Sequence, residues 1–460
     1  MAFAPHMPPG AAVGILWLFM FDPNYGLSRW AFSLFGADSP AWTTTSDWSL
    51  WSITIAYTWR RLGFVTVICY TAILDLPKDL YEAAALDGAH GWKLFRHLTL
   101  PPLSPITFFL SITGIISAAQ AFDIISIMTD GGPGTSSSTL SWMVYEEAFQ
   151  KFDIGGASAA ATVFARDPPG HHLRAGPLRR EEGELRLMST LSSAPSAQLP
   201  DGTAAPAGTS VPRNTGRRRG PRRRPWVTAP LIAGVLATIA VFLVPLYWLF
   251  SSALKPHQDI YSWPLQWIPT ELTFSNFVGA WEAAAFDRFF LNSIITTGVG
   301  TVLEIVLAIL CAYAFVFVEF RFKKIVFGLI VASLMLPGHV TLIVNYITVA
   351  NLGWLNTYAG IILPGIASAF AMFLIYQHMR TIDKDILQAA EIDGAGHIRR
   401  MLTIVVPLSS PMILTATLIV MVGKWNEYVW PLIVTSTEDM RTLPIGSLFL
   451  RARRATATGA

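Results

Sequence analysis

The sequence predicts an all-α membrane protein of several spans, built from two related halves joined by a disordered linker. Three observations lead to this fold class: the apolar composition, the length of the uncharged runs and an internal repeat. Of the 460 residues, 52% are hydrophobic and 14% are charged, whereas about a quarter of a soluble domain is charged. Runs of about 20 apolar residues match a hydrocarbon layer about 30 Å thick. The spans should be helices, because isolated strands leave backbone groups unsatisfied in lipid.

Long apolar runs mark the candidate spans, and two shorter runs accompany them. The long runs cover roughly 51–75, 106–129, 228–250, 290–318, 325–349, 359–379 and 409–435, and the short ones 11–21 and 154–165. No basic residue precedes the first apolar run, so a secretory signal peptide is not predicted. The run at 11–21 is instead expected to be the end of a span whose beginning is absent.

Basic residues in the connectors predict the orientation, because Lys and Arg are enriched on the cytoplasmic side. They cluster in the linker and in three short connectors, whereas the 350–358 connector has none. The basic positions are Arg217–Arg219, Arg222–Arg224, Arg321, Lys323, Lys324, Lys78, Lys93, Arg96, Arg380, Lys384, Arg399 and Arg400. Both copies of the repeat are therefore expected in the cytoplasm.

The cysteines predict neither a disulfide framework nor a metal site. Cys69 and Cys311 both lie inside apolar runs and have the surroundings of small core residues. No cofactor, metal ligand or catalytic residue is therefore expected in this chain.

The internal repeat is a polar, basic-flanked segment that occurs once in each half at a constant offset. The offset is 388 − 82 = 306 residues, and it holds without a gap from the first to the last matched position. The matched residues are Glu82, Ala83, Ala84, Asp87, Gly88 and Pro101 in the first copy, and Gln388, Ala389, Ala390, Asp393, Gly394 and Pro407 in the second.

Each copy predicts a short helix that projects from the membrane. The Ala-Ala pair lets another surface approach closely, and the Asp-Gly step ends the helix because glycine tolerates the left-handed conformation. Such a helix is suited to the groove of a partner protein. The alternative is an ordinary interfacial helix between spans, but that would not recur at a fixed offset with the same residues.

The repeat resembles the cytoplasmic loop of ATP-binding-cassette importer permeases, whose pattern is E-A-A, three residues, Gly, nine residues and I-x-L-P. The first copy departs from it at Leu98, and the second at Gln388 and Val406. The segment 129–140 resembles the first permease subunit of carbohydrate importers of the maltose and glycerol-phosphate type, and the segments 250–277 and 425–436 resemble the second.

The resemblance implies a carbohydrate permease that works by alternating access in the cell membrane. It implies three partners: ATP-hydrolysing subunits that receive the loops, an extracytoplasmic solute-binding protein, and a small sugar substrate. No nucleic-acid partner is implied. The chain contains no G-x-x-x-x-G-K-[ST] phosphate loop, so ATP hydrolysis is expected in a separate subunit.

Candidate substrate-lining residues follow from the same 306-residue offset. Gln120 aligns with Asn426, and Phe122 with Tyr428, so each half has one amide and one ring, with Trp425 beside them. Amides that bond hydroxyls, with rings that stack on apolar faces, suit a sugar. The alternatives are that tryptophan anchors a span end and asparagine bonds a neighbouring helix.

Charged residues within predicted spans form a second group of candidates. Arg60, Arg61 and Glu304 lie in the apolar runs, where a charge is costly and usually marks a function or a paired partner. For Arg61, the alternative is that its side chain extends to the outer surface.

The predicted organisation is a truncated first half at 1–165 with its loop at about 76–105, a linker at 166–225, a second half at 226–448 with its loop at about 380–408, and a tail at 449–460. A helix over 154–165 would rise only about 18 Å. One hypothesis is that two reading frames were joined near Met188 with the last span of the first lost. The second half is also expected to lack its last span.

Two other functions remain open from the sequence. Repeated halves with intramembrane acids such as Asp123 and Glu304 would suit an ion-coupled secondary transporter. That interpretation leaves the two cytoplasmic loops unexplained. The chain could also be a non-functional truncated fusion of two permease genes. The identity of the sugar does not follow from the sequence.

Overall fold

A computed structural model describes residues 4–74, 76–86, 88–89, 91–166, 225–334 and 338–446. Every regular element in these ranges is helical, which confirms the predicted all-α class. Residues 167–224 of the predicted linker and the tail from 449 lie outside the described residues. The chain divides into a large compact unit, 1–170 with 239–460, and a small one, 171–238. Both halves of the repeat belong to the large unit.

The first half contains nine α-helices in the described ranges, with a π-helical turn, Phe95–Thr99, between α5 and α6 and another, Glu146–Gln150, after α8. The helices are α1 Gly10–Met20, α2 Leu27–Ser33, α3 Ser46–Leu74, α4 Lys78–Leu86, α5 Trp92–Leu94, α6 Leu100–Ala119, α7 Asp123–Met128, α8 Leu140–Tyr145 and α9 Ile154–Arg166.

The described part of the second half continues the series from α10, which begins in the small unit and ends in the large one. The helices are α10 Pro225–Ala253, α11 His257–Ile260, α12 Ser275–Ala283, α13 Phe286–Phe317, α14 Lys323–Ser333, α15 Leu342–Asn351, α16 Tyr358–Ile362, α17 Ala369–Met379, α18 Lys384–Ile392, α19 His397–Arg400, α20 Val406–Leu408, α21 Ser410–Trp425 and α22 Val429–Val434. A π-helical turn, Met401–Val405, separates α19 from α20.

Two described helices, Ala233–Ala253 and Phe286–Phe317, are long and apolar enough to cross a membrane unaided. Three bent pairs raise the number to as many as five if each pair is one span. The pairs are Trp92–Ser104 with Ile106–Ala119, Tyr358–Gly365 with Ala369–Met379, and His397–Leu408 with Ser410–Trp425, bent by 65°, 46° and 80°.

Two predicted spans are interrupted at equivalent positions. The run at 106–129 is divided between α6 and α7, and the run at 409–435 between α21 and α22. The two breaks, 120–122 and 426–428, are again 306 residues apart. Non-helical backbone within a membrane is tolerated only where protein buries it or a cavity adjoins it. A substrate site is therefore expected beside these breaks.

Small side chains let the helices of the second half approach closely. The long helix α13 packs against α17 and α21, and Ala308, Ala312, Ala371 and Ala416 are all buried at these contacts. Close packing of small residues is the usual way in which membrane helices associate, because lipid supplies no hydrophobic drive between them.

The two halves meet in one apolar cluster. The ring centroids of Phe122 in the first break and Tyr428 in the second break are 6.2 Å apart. Trp59 of α3 donates its indole N–H to the carbonyl oxygen of Val241 on α10 at 3.0 Å. Residues of both halves therefore share a single core.

A buried lysine fixes the chain just after α10. Lys255 donates to the carbonyl oxygen of Gln266 at 2.5 Å, and its ammonium lies 4.1 Å from the ring centroid of Trp248. Burial lowers the pKa of Lys255 below its usual 10.5, although the nearby Asp259 opposes this effect.

Candidate functional site: two projecting loops and a cavity at a helix break

The two repeated loops have the same backbone. In the first, the Ala89 N–H donates to the Ala84 carbonyl at 2.9 Å, and in the second, the Ala395 N–H donates to the Ala390 carbonyl at 2.9 Å. These bonds span a glycine with positive φ in each copy, +75° in the first loop and +79° in the second. This is the Schellman ending, which needs a left-handed residue and so favours glycine.

Beyond the glycine, both loops continue into a π-helical turn of five residues. The turns are Phe95–Thr99 and Met401–Val405, again offset by 306. Pro101 follows the first turn and Pro407 the second, each in the first turn of the next helix. Proline is tolerated there because the N–H that it lacks has no intrahelical partner. The repeat is therefore present in the backbone structure as well as in the sequence.

The predicted coupling residues lie on the outer surface of these loops. All of them are exposed except one alanine in each copy, Ala84 and Ala390, which is half-buried. The exposed ones are Glu82, Ala83, Gly88, Pro101, Gln388, Ala389, Asp393, Gly394 and Pro407. Asp87 lies outside the described residues.

Sequence reasoning missed a set of exposed apolar side chains on the same loops. Leu86 is 90% exposed, and its counterpart Ile392 is 87% exposed. Two further pairs of exposed residues are matched at the same offset: Leu80 with Ile386, and Trp92 with Ile398. The 306-residue offset, applied to apolar as well as polar positions, would have found them. Large side chains exposed at repeated positions indicate a contact surface.

The loops differ in how they are held to the body of the protein. In the second, Arg400 forms an ion pair with Glu391 at 2.7 Å, and the Tyr313 hydroxyl lies 3.2 Å from His397 Nδ1. Residues 85 and 94, which correspond to this ion pair in the first loop, are alanine and leucine. There the Tyr81 hydroxyl lies 3.0 Å from Thr99 Oγ1. Among the described residues, the second loop thus has an internal ion pair and a contact with Tyr313 of α13.

The two predicted amides occupy equivalent places at the breaks. Gln120 ends α6 with φ −91°, and Asn426 ends α21 with φ −90°. Asn426 donates to the Met7 carbonyl at 3.2 Å, while its Oδ1 is buried with no hydrogen-bond partner in the described part of the chain. The side chain therefore has an unused acceptor at the break.

The two predicted rings are packed within the core. Phe122 is 1% exposed and Tyr428 is 3% exposed, and the Tyr428 hydroxyl lies 3.4 Å from Ser126 Oγ. The structure thus brings these two residues together, at the contact between the halves. Trp425, by contrast, lines a cavity of about 220 Å³.

An ion pair adjoins that cavity. Lys424 Nζ lies 2.8 Å from Glu304 Oε2, and both side chains are largely buried. Lys424 also donates to the Gly365 carbonyl at 2.9 Å. Gly300 leaves space for its stem, since a Cβ there would lie 3.1 Å from Lys424 Cδ. The structure therefore pairs Glu304, one of the predicted intramembrane charges.

The predicted arginines of α3 also have partners. Arg60 forms an ion pair with Asp123 at 3.0 Å, and a Cβ added at Gly10 would overlap the Asp123 carboxylate. Arg61 donates to Ser117 Oγ at 3.0 Å, and its guanidinium lies 5.3 Å from the Phe64 ring centroid. Both arginine side chains therefore have polar partners within the protein.

A helical membrane protein with two equivalent projecting loops and paired charges beside its helix breaks has the character of a transport subunit. Among the described residues, no cluster of three or more His, Cys, Asp or Glu could hold a metal ion. The family of binding-protein-dependent transport system inner membrane components matches residues 1–165 and 304–459. The chain belongs to this family.

Relatives within the family are permeases. The sn-glycerol-3-phosphate transport system permease protein UgpE of Escherichia coli strain K12 is 34% identical over 229 residues, which cover 48% of this chain and 82% of that protein. The protein of the same name from Yersinia pestis bv. Antiqua is 36% identical over 222 residues, 47% of this chain and 78% of that protein.

Two solved structures also overlap the chain. A bacterial ABC transporter involved in the import of the acidic polysaccharide alginate covers 49% of this chain and 80% of its own, at 21% identity and a TM-score of 0.45. The complex of such a transporter with a periplasmic protein bound to an alginate pentasaccharide covers 35% and 56%, at 24% identity and a TM-score of 0.33.

The family membership confirms the main predictions. The chain is a multi-pass permease component of an ATP-binding-cassette importer, it belongs to the inner membrane, and it acts with a solute-binding protein. The relatives are transport permease subunits. The roles of individual residues and the extent of each half remain predictions.

Proposed function

We propose that this chain supplies both translocation halves of a carbohydrate importer and that its two loops dock onto separate ATPase subunits. The observation that carries the proposal is the repeat: two loops with the same helix, the same glycine ending and the same exposed apolar positions. Two equivalent loops suit two equivalent ATPase sites. ATP hydrolysis then takes place in the partner subunits, and this chain converts their movement into opening and closing.

The docking surface of each loop is its exposed apolar edge together with the small residues beside it. Leu86 in the first loop and Ile392 in the second are almost fully exposed. Burying one such side chain in a partner contributes about 1.5–3 kcal/mol. The exposed Ala83 and Ala389 would let the partner backbone approach each helix closely.

The relatives and the helix breaks support a polyhydroxylated substrate. The relatives are named for a three-carbon polyol phosphate, and the chain has amides and tryptophans beside its breaks. We propose that Gln120, Asn426 and Trp425 contact the substrate. Phe122 and Tyr428 then lie behind the residues that contact the substrate, and their ring contact holds the two helix breaks together.

The proposed organisation keeps the two halves at 1–165 and 226–448 and assigns the remaining segments to a linker and a tail. The apolar cluster common to both halves supports a joint role for them. Alternating access then requires the halves to separate and rejoin around the breaks.

Uptake by the full chain, reconstituted with its ATPase subunits and binding protein, tests the proposal. We expect uptake that vanadate abolishes and an uncoupler leaves unchanged, because ATP and not an ion gradient supplies the energy. Uptake with the opposite sensitivities would identify an ion-coupled transporter.

A second arm addresses the possibility of a non-functional fusion. The chain is expressed in a strain that lacks its intact permease pair, beside a variant that carries Leu86→Asp and Ile392→Asp. Growth on the substrate that depends on both loops supports the proposal. No growth with the unaltered chain, despite its presence in the membrane, would contradict it.

A further inference from the structure

The cavity beside Trp425 is lined only by residues of the second half. It has a volume of about 220 Å³, and helices α13, α15, α16, α21 and α22 contribute residues to its wall. Helix α21 has 16 residues, so it rises about 24 Å from the loop to this cavity. The cavity therefore lies at the end of α21 that is far from the second loop.

The cavity wall contains neutral polar groups, one of which is buried without a partner among the described residues. Thr442 is 4% exposed, lines the cavity, and has a buried hydroxyl with no hydrogen-bond partner among the described residues. Asn345 also lines the cavity from α15. Leaving a buried hydroxyl unpaired is unfavourable, and a hydroxyl of a bound molecule would offset this cost.

Aromatic rings form another part of the wall. Trp425 and Trp430 both line the cavity. The N–H of Trp430 is used, since it donates to the Gly360 carbonyl at 3.1 Å, so its ring is left as an apolar surface. Trp425 meets Phe290 edge-on at 6.0 Å. Rings beside a few polar groups are typical of a site for a small polar ligand.

The charges of the cavity disfavour an anion. Among the described residues that line it, Lys424 is the only cation. Its ammonium has three donors, one of which is used by Glu304 and another by the Gly365 carbonyl. Glu427 is the one carboxylate among the described residues that line the cavity, and Glu304 reaches it only through its pairing with Lys424. The formal charge of this group of three side chains is therefore −1, from one lysine and two glutamates.

We propose that this cavity binds an uncharged, polyhydroxylated part of the substrate and selects against phosphate or carboxylate groups. Hydroxyls of the ligand would bond to Thr442, Asn345 and Glu427, and its apolar face would lie against Trp425. The inference rests on the proposed function, because it specifies the chemistry of the molecule that the permease carries. It separates this chain from relatives named for an anionic substrate.

Calorimetric titration of the purified complex of this chain with its ATPase subunits, without binding protein, tests the proposal. The probes are matched neutral and anionic pairs: glycerol with sn-glycerol-3-phosphate, and glucose with glucuronate. We expect a neutral member to bind at least about tenfold more tightly than its partner, as a charge of −1 in a partly buried site predicts. Equal or tighter binding of the anion, or no binding of either neutral compound, would overturn the proposal.

Variants locate the effect in the cavity. Glu427→Gln should reduce the preference for the neutral member by roughly tenfold, and Thr442→Val should weaken neutral binding by about fivefold, the equivalent of one hydrogen bond. The exposed Glu282→Gln is the matched control and should change neither value. Vanadate-sensitive uptake that is unaffected by Glu427→Gln and Thr442→Val would reject the site while leaving the proposed function intact. Absence of any ATP-dependent uptake would reject the proposed function itself.

Discussion

The ion pair between Glu304 and Lys424 gives the sharpest prediction about stability. Its atoms are 2.8 Å apart, and the side chains are 7% and 15% exposed. Replacing Glu304 with glutamine removes the carboxylate that is paired with a buried ammonium, which costs about 3–5 kcal/mol. We expect the lower end of this range, because Lys424 keeps its bond to the Gly365 carbonyl and the glutamine still offers an oxygen.

The double variant separates the charge from the packing. Glu304→Leu combined with Lys424→Met removes both charges and keeps similar volumes, and such replacements are often neutral or stabilising. A double-mutant cycle should therefore give a coupling energy of about 3 kcal/mol or more between the two positions. The measurement is denaturant unfolding of the full chain in mild detergent, followed by near-UV circular dichroism.

A surface pair supplies the control. Glu319 and Lys323 lie 3.1 Å apart, but Glu319 is 90% exposed. Glu319→Gln should change the free energy of unfolding by less than about 1 kcal/mol. If Glu304→Gln costs no more than this control, the pair is not buried and the reasoning from its geometry is wrong.

Three further changes have outcomes that the structure predicts. Gly10→Ala should lower the free energy of unfolding by about 1–3 kcal/mol, because the added Cβ would overlap the carboxylate that pairs with the arginine of α3; denaturant unfolding measures it. Ile392→Asp should abolish stimulation of the ATPase subunits without changing thermal stability, because this side chain is already 87% exposed; ATPase assays beside melting curves check both. Burial lowers the pKa of Lys255, so the folded chain binds fewer protons than the unfolded chain between that lowered value and 10.5, and stability should rise with pH in this window. Lys255→Met should lack this rise in melting temperature.

The loops could be predicted residue by residue because their signal is local. Whether a helix ends at a left-handed glycine is determined by the residues next to it. Gly88 and Gly394 therefore predicted the ends of the two loop helices from sequence alone. The constant offset then placed both copies in register. The exposed Leu86 and Ile392 escaped notice because exposure depends on what packs nearby, which a single sequence does not specify.

The surroundings of the helix breaks could not be predicted in the same way. Glu304 and Lys424 are 120 residues apart in sequence, and only the packing of α13 against α21 joins them. Phe122 and Tyr428 are residue types that can stack on a ligand, yet they are buried against each other between the halves. Whether a ring contacts ligand or core depends on tertiary packing, since both environments favour the same residue type.

Cross-linking between the loops and the ATPase subunits tests the central claim most directly. Cysteine is placed at Ala83 or Ala389 in the full chain, after Cys69 and Cys311 are replaced with alanine, and the complex is exposed to a short bifunctional reagent. The control is Leu352→Cys, an exposed position in the connector predicted to lie on the opposite side of the membrane. The account predicts cross-links to ATPase subunits from both loop positions and none from the control. Cross-links from position 352 and none from either loop would contradict it.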